Sequence, residues 1–141
     1  MSSKPENEFI RSVHKHFGLD RPYFEKQYNP FRSGAADVWY SGTEADLWVE
    51  YKFISKIPTA RSKVKEIIPD LSPRQFCWLT NRCSEGRNVC VIVGCKLGGT
   101  IFGPEHWKTG MSVLQFLSKL CSLEELAFFI SQYVGLGKFD G

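Results

Sequence analysis

Apolar residues recur at two different spacings along the chain, and the changes of spacing divide it into helices and strands. Near the start, four apolar residues follow the three- and four-residue spacing of one helical face: Phe9, Ile10, Val13 and Phe17. Pro5 can open this helix, which is predicted to run to about Phe17 because Gly18 follows. The segment from Asp20 to Arg32 is rich in Tyr, Pro and Asn and is predicted to be a loop.

Short β-branched and aromatic runs predict four strands. The first two are Val38 to Tyr40 and Leu47 to Ile54, separated by the turn signal Ser41-Gly42. The continuous apolar run from Val89 to Val93 is typical of a central strand. A glycine pair then turns the chain into a short strand, Thr100 to Phe102.

Capping signals place the remaining helices. One begins at Ser72, with a proline at its first helical position, and ends before Gly86. Two more are predicted near the C-terminus, because Ser112 and Ser122 are each followed three residues later by Gln or Glu. The order of elements predicts an α/β fold with a mixed sheet of four to five strands flanked by helices, and two extra C-terminal helices.

Length and composition bound the class of protein. The 141 residues suit one domain, with a core over about 5–103 and a helical extension over about 110–135. A content of 43% hydrophobic and 23% charged residues excludes a disordered chain, and no apolar run approaches the length of a membrane span. The start is polar, and the five cysteines include no C-x-x-C pair. We therefore expect a cytoplasmic protein without a membrane partner.

Acidic and basic residues are segregated although the net charge is only +3. The segment from Asp37 to Tyr51 has four acids and no base, whereas Lys52 to Arg74 has six bases against two acids. This arrangement can be interpreted as a cation site beside a polyanion track, or as two solvated faces.

The second predicted strand carries an acid and a base on one face. Because side chains alternate along a strand, Glu50 and Lys52 point to one side of the sheet and Tyr51 to the other. Asp37 immediately precedes the first strand, so a hairpin would bring Asp37 and Glu50 together. Two converging carboxylates suit Mg²⁺, or Mn²⁺ as its substitute. An ordinary cross-strand ion pair is the alternative interpretation.

Three segments resemble the PD-(D/E)xK nuclease superfamily. They are Gly34-Ala35-Ala36-Asp37-Val38-Trp39, Trp48-Val49-Glu50-Tyr51-Lys52 and Leu71-Ser72-Pro73-Arg74-Gln75. The pattern is similar to archaeal-type Holliday junction resolvases and VRR-NUC nucleases over roughly residues 6–95. The proline of the family motif is Ala36 here, at a position that shapes the backbone rather than binding metal. The resemblance implies a restriction-endonuclease-like core.

The resemblance also implies a role for each matching residue. Asp37 and Glu50 would bind the metal together with the backbone carbonyl of Tyr51, and Lys52 would be the catalytic lysine. Gln75 would reach into the site from the helix that follows. Gln75 also stands three residues after the predicted N-cap serine, so a capping role can coexist with the functional one.

Such families often add a glutamate from the first helix, and this chain offers Glu6 and Glu8. At about 100° per residue, Glu6 lies within the apolar stripe, whereas Glu8 points to nearly the opposite side. A carboxylate on the core-facing side needs a reason to be there, so Glu6 is the predicted site residue. The alternative is a favourable charge at the positive end of the helix dipole.

Basic residues follow the E-x-K strand closely. Beside a metal site they are candidate phosphate contacts, which set the affinity for nucleic acid but not sequence preference. The candidates are Lys56, Arg61, Lys63, Lys65 and Arg74.

Together these features predict a Mg²⁺-dependent DNA endonuclease that hydrolyses phosphodiester bonds, is selective for branched or otherwise structured DNA, and acts as a homodimer. The apolar C-terminal helices could form the dimer interface or simply cover the sheet. The main alternative is a catalytically inactive nuclease-fold module that binds nucleic acid or protein. A sequence-specific restriction-type enzyme is a third hypothesis.

Two further groups of residues are assigned structural positions. His14 and His16 lie two apart on a helix, which makes a poor metal pair, so we expect both on the surface. Core or interface positions, rather than base-stacking platforms, are expected for four residues: Trp39, Trp48, Trp78 and Trp107.

Overall fold

The computed structural model describes residues 4–19, 21–27, 34–59 and 61–135. Within these ranges the chain forms five helices and seven strands. In chain order they are α1 (Lys4–His14), β1 (Tyr23–Lys26), β2 (Val38–Ser41), β3 (Asp46–Phe53), β4 (Glu66–Ile67), α2 (Pro73–Ser84), β5 (Val89–Cys95), β6 (Gly98–Phe102), α3 (Pro104–Thr109), β7 (Met111–Ser112), α4 (Val113–Ser118) and α5 (Leu123–Val134).

A five-stranded mixed sheet, in the order β1-β2-β3-β5-β6, forms the centre of the molecule. Strand β3 pairs in parallel with β5, and the other neighbours are antiparallel. Helix α2 provides the crossover that a parallel pair requires. Strands β4 and β7 form a separate two-stranded sheet. The predicted α/β fold with a mixed sheet flanked by helices is thus confirmed.

Helices cover both faces of the sheet. On the first face, α1 and α5 pack on inward side chains that include Val49 and Tyr51 of β3. On the second face, α2, α3 and α4 pack on Val91 and Val93 of β5, mainly through Leu79, Trp107 and Phe116. The C-terminal helices therefore cover the sheet, one on the first face and two on the second. None of the helices in the described ranges is both long and apolar enough to cross a membrane.

Several local expectations are wrong, and the missed strands form by pairing with other segments of the chain. Within the predicted loop Asp20 to Arg32, residues 23–26 form edge strand β1; positions 20 and 28–32 lie outside the described residues. Helix α1 ends at His14 rather than near Phe17. Beyond it, the N–H groups of His16 and Phe17 form i to i−3 hydrogen bonds of the 3₁₀ type. Three short elements, β4, α3 and β7, lie where no element was predicted.

His14 is half-buried rather than exposed as expected, whereas His16 is exposed. The ring of His14 packs against Phe17, Phe24 and Tyr40 on the first face of the sheet. Its Nε2 hydrogen-bonds the Tyr40 hydroxyl at 2.7 Å, and that hydroxyl bonds the Tyr51 hydroxyl at 2.6 Å. Burial, helped by nearby positive charges, lowers the pKa of His14 to about 4.

We predict that the free energy of unfolding falls as the pH is lowered from about 6.5 to 4. The unfolded chain takes up a proton at His14 that the folded protein resists, so protonation favours unfolding. A pKa lowered from 6.5 to about 4 corresponds to a loss of roughly 3 kcal/mol over this range. Urea unfolding at several pH values should show a flatter dependence for His14→Gln than for the parent. His16→Gln is the control, and equal slopes for parent and His14→Gln would contradict the assignment.

Candidate active site

The hairpin of β2 and β3 brings the two predicted carboxylates together. Its register pairs Val38 with Val49, so Asp37 lies opposite Glu50 at the point where β2 begins. Both side chains point to the second face of the sheet, and both are buried, at 8% exposure for Asp37 and 1% for Glu50. Their carboxyls interact directly, since hydrogen bonding to Asp37 and its charge both help to raise the pKa of Glu50.

The pKa of Glu50, at the centre of the sheet, is strongly raised. Burial raises its pKa to about 9, and the neighbouring Asp37 adds to the effect while Lys52 opposes it. Its Oε1 has no hydrogen-bond partner among the described residues, although Oε2 does. A buried carboxyl oxygen without a donor is satisfied by a bound proton, an ordered water or a cation.

The backbone at Tyr51 adds polar groups to the same place. Its N–H donates to Oδ2 of Asp37 at 2.8 Å. Paired residues of antiparallel strands direct N–H and C=O to the same side, so the Tyr51 carbonyl also faces this side. Strand β2 pairs with β3 only as far as Val49, so this carbonyl lies beyond the paired segment. The hydroxyl of Tyr51, in contrast, is buried on the first face.

Gln75 connects the site to the beginning of helix α2. Its Nε2 donates to Oε2 of Glu50 at 3.0 Å, and its Oε1 accepts from Nζ of Lys52 at 3.0 Å. The same Oε1 accepts from the backbone N–H of Ser72, whose hydroxyl accepts from the Gln75 N–H. The capping box and the contact with the site therefore coexist in one side chain. Lys52 completes the group, with Nζ 3.7 Å from Oε2 of Glu50.

Gly34 fixes the segment that precedes Asp37 against helix α2. Its φ of +84° lies in the region that side chains disfavour. A Cβ atom at this position would lie 2.3 Å from the carbonyl oxygen of Arg74 and 2.7 Å from the backbone nitrogen of Gln75. Only glycine allows the two backbones to approach this closely, so Gly34 helps to hold Asp37 and Gln75 in one site.

The geometry separates the two helix glutamates. The charge of Glu6 contributes to the raised pKa of Glu50, so this residue lies near the site. Its neighbour Asn7 accepts a hydrogen bond from Lys26, which pairs with Val38 next to Asp37. Glu8 is exposed and borders a cavity away from the site. The structure thus brings Glu6, and not Glu8, toward the carboxyl pair.

The donor set fits a hard divalent cation that keeps several of its waters. Asp37, Glu50 and the carbonyl of Tyr51 offer oxygen atoms only, and Oε1 of Glu50 is available. No cluster of three or more His, Cys, Asp or Glu side chains able to hold a metal occurs among the described residues. A site built wholly of such side chains, as structural zinc prefers, is therefore absent from this part of the chain.

The five basic candidates are exposed. Arg74 stands beside Gln75 at the start of α2, and Lys56 follows the end of β3 by three residues. The segment that carries the others is not a plain loop, because β4 follows Lys65 directly and pairs with β7. Gln75 of α2 hydrogen-bonds both Glu50 and Lys52.

Comparisons with known proteins bear on the fold. No family model matches the chain, and none of the curated proteins matches it in sequence. Among solved structures, it is similar to Hjc, a Holliday junction resolvase from the archaeal hyperthermophile Archaeoglobus fulgidus. The TM-score is 0.53 with 14% identity, over 91% of this chain and 99% of that one. This chain has the fold of a Holliday junction resolvase.

The similarity to the resolvase structure covers the core that carries the site and most of the C-terminal region. The expected restriction-endonuclease-like core is present, and the similarity extends over most of the C-terminal region, for which the sequence offered no resemblance. At 14% identity the similarity establishes architecture, while the roles of Asp37, Glu50, Lys52, Gln75 and Glu6 stay predictions that rest on the geometry above.

The sequence patterns missed two features of the site. One is the contact between Gly34 and α2, which joins distant parts of the chain and leaves no local signal. The other is a pair of tryptophans beside the carboxylates. Strand alternation could have found them, because Trp39 and Trp48 share the parity of Asp37 and Glu50.

We predict that Glu50→Gln stabilises the protein in the presence of a chelator at pH 8. An acid whose pKa is raised on folding contributes stability that is complete below its unfolded pKa of 4.5 and is lost progressively as the pH rises toward 9. Glutamine does not titrate and can donate to Asp37, so a gain of about 1–3 kcal/mol is expected from satisfying the buried group. Urea unfolding would measure it, with Glu8→Gln as the exposed control. A Glu50→Gln variant less stable than the parent at pH 8 would contradict this electrostatic description.

Proposed function

We propose that this protein is a Mg²⁺-dependent DNA endonuclease that hydrolyses phosphodiester bonds and selects structured DNA. The observation that carries the proposal is the buried Asp37–Glu50 pair, with one carboxyl oxygen lacking a donor and Lys52 adjacent. The resolvase fold supports the substrate class, because the similar archaeal protein is a Holliday junction resolvase. The proposed branch is the one that unites Holliday junction resolvase-like and VRR-NUC nucleases, on the motif resemblance.

The residues of this chain would divide the work as follows. Asp37, Glu50 and the Tyr51 carbonyl hold the cation, and Mn²⁺ can replace Mg²⁺ in such an oxygen set. Once bound, the cation supplies Lewis-acid chemistry for attack on a phosphodiester. Lys52 places a positive charge beside the carboxylates, where it can stabilise negative charge that develops on the phosphate. Gln75 holds Lys52 and Glu50 in position through its two hydrogen bonds.

Substrate binding would rest on phosphate contacts. Exposed cations near the site include Lys56 and Arg74, with Arg61, Lys63 and Lys65 on the segment between them. Such contacts bind the DNA backbone without reading its sequence. We also propose a homodimer, because a junction has two strands to cut and exposed apolar side chains lie on α4 and α5, namely Leu114, Leu117, Phe128 and Tyr133. A cytoplasmic location is part of the same proposal.

Cleavage of a matched panel of DNA structures tests the function. We expect the parent to cut a four-way junction or a flap faster than plain duplex or single strand, with Mg²⁺ and not with chelator. A band shift without cutting would favour the catalytically inactive nuclease-fold module. Discrete fragments from unrelated plasmids would favour a restriction-type enzyme.

Substitutions at the site should distinguish the metal-binding role of Asp37 from the catalytic role of Lys52. Asp37→Asn should abolish cleavage and weaken Mg²⁺ binding, while DNA affinity in chelator holds or rises because a negative charge is lost. Lys52→Ala should leave cation binding intact and slow the chemical step by about 10²–10³-fold. Calorimetric metal titration beside single-turnover cleavage measures both. Parent-like cleavage by Lys52→Ala, or retained metal binding and activity in Asp37→Asn, would contradict the assignment.

The helix glutamates provide a matched pair. Glu6→Gln should reduce the single-turnover rate by about 10–100-fold, the scale of losing a group that supports a metal site. Glu8→Gln should cleave like the parent, since Glu8 is exposed and away from the carboxylates. The reverse result would contradict the role of Glu6 while leaving the nuclease proposal intact.

A further inference from the structure

Three tryptophans continue the second face of the sheet beyond the carboxyl pair. The β2–β3 register pairs Trp39 directly with Trp48. Each tryptophan is two residues along its strand from a site carboxylate, Trp39 from Asp37 and Trp48 from Glu50. A repeat of two residues spans about 6.6 Å along a strand. Trp78 adds a third ring from helix α2, three residues after Gln75. The tryptophans and the buried carboxylates are therefore neighbours on the same face of the sheet.

The rings contact one another in a row. The centroids of Trp39 and Trp48 are 6.2 Å apart, and Trp48 meets Trp78 edge to face at 5.2 Å. The guanidinium of Arg82 lies 5.6 Å from the centroid of Trp78. Of the four tryptophans, only Trp107 is fully buried; the other three are half-buried. The expectation of core positions is thus correct for Trp107, and Trp48 and Trp78 pack partly buried against the same core cluster; Trp39 alone belongs to neither cluster.

A cavity of about 510 Å³ opens beside this row, lined by Trp39, Trp48, Arg82, Arg87 and Asn88 together with Asp46 and Gly86. This volume is typical of small-ligand sites. Two exposed arginines provide positive charge, and one of them, Arg82, also pairs with the exposed Glu85 at 3.4 Å.

The walls of the cavity are held in place by hydrogen bonds. The Asp46 carboxylate accepts from Nε1 of Trp39 at 3.2 Å and from the hydroxyl of Ser41 at 2.7 Å. Asn88 donates to the backbone carbonyl of Asp46 at 3.0 Å. Asp46 is therefore engaged in orienting the Trp39 ring, although its charge also opposes a phosphate nearby.

We propose that this aromatic cavity binds an unpaired nucleobase of the DNA substrate, with the adjacent phosphate held by Arg82 or Arg87. Aromatic rings stack on the faces of bases, and guanidinium groups bind phosphates, so the lining matches a nucleotide in both parts. A base inside a duplex is already stacked on its neighbours and cannot enter. The proposal rests on the proposed function and specifies it: the substrate carries an unpaired nucleotide close to the bond that is cut.

Oligonucleotide binding in chelator, where no cleavage occurs, tests the proposal. The full-length parent should bind a thymidine oligonucleotide about 10-fold more tightly than an abasic oligonucleotide of equal length and charge, with quenching of tryptophan fluorescence. Trp39→Ala should remove this preference because a stacking ring is lost, while neither core cluster loses a side chain. Arg87→Ala should weaken the binding of both oligonucleotides alike.

Leu97→Ala is the matched control. Leu97 is 65% exposed just after the end of β5, whereas the cavity lies beside the beginning of that strand, so the preference for the base should persist in this variant. Equal affinity of the parent for the two oligonucleotides, or an unchanged preference in a folded Trp39→Ala, would overturn the cavity proposal alone. If Trp39→Ala does not fold, Trp39→Leu replaces it with the same expectation. Failure to bind any DNA, junction and duplex included, would instead contradict the proposed function.

Discussion

The buried carboxyl of Glu50 is the constraint on which the rest of the site depends. It lies at the centre of a five-stranded sheet, and one of its oxygens has no partner among the described residues. A second carboxyl, from Asp37, makes the position less favourable, and Lys52 offsets this only in part. A sheet selected for stability alone would place an apolar residue here, as β5 does with Val91 opposite Glu50. The arrangement is accounted for when the pair serves a cation.

The surrounding structure is organised to tolerate this carboxyl and to keep it in place. Gln75 satisfies one oxygen of Glu50 while capping helix α2, so the beginning of the helix and the geometry of the site cannot shift independently. Gly34 brings the segment before Asp37 against the same helix turn. On the other face of β3, the hydroxyls of Tyr51 and Tyr40 and the ring of His14 form a chain of hydrogen bonds that links the strand to α1.

The part of this site that follows strand periodicity and helix capping could be predicted from the sequence. Alternation places Glu50 and Lys52 on one face, and the serine three residues before Gln75 marks a helix start. The helical phase of α1 separates Glu6 from Glu8. The elements that escaped prediction depend on partners distant in the chain. Edge strand β1 forms because it pairs with β2, and β4 forms because it pairs with β7. The surroundings of His14 likewise come from β1 and β2, which the spacing of histidines on α1 does not reveal.

A crystal structure of the protein soaked in Mn²⁺ tests the central claim most directly, since the anomalous signal of manganese locates the ion without reference to activity. The account predicts a peak within coordination distance of both the Asp37 and Glu50 carboxylates and of the Tyr51 carbonyl, and its loss in Asp37→Asn. A peak bound elsewhere, or none at the carboxyl pair when Mn²⁺ is saturating and the pH is high enough to ionise Glu50, would contradict it.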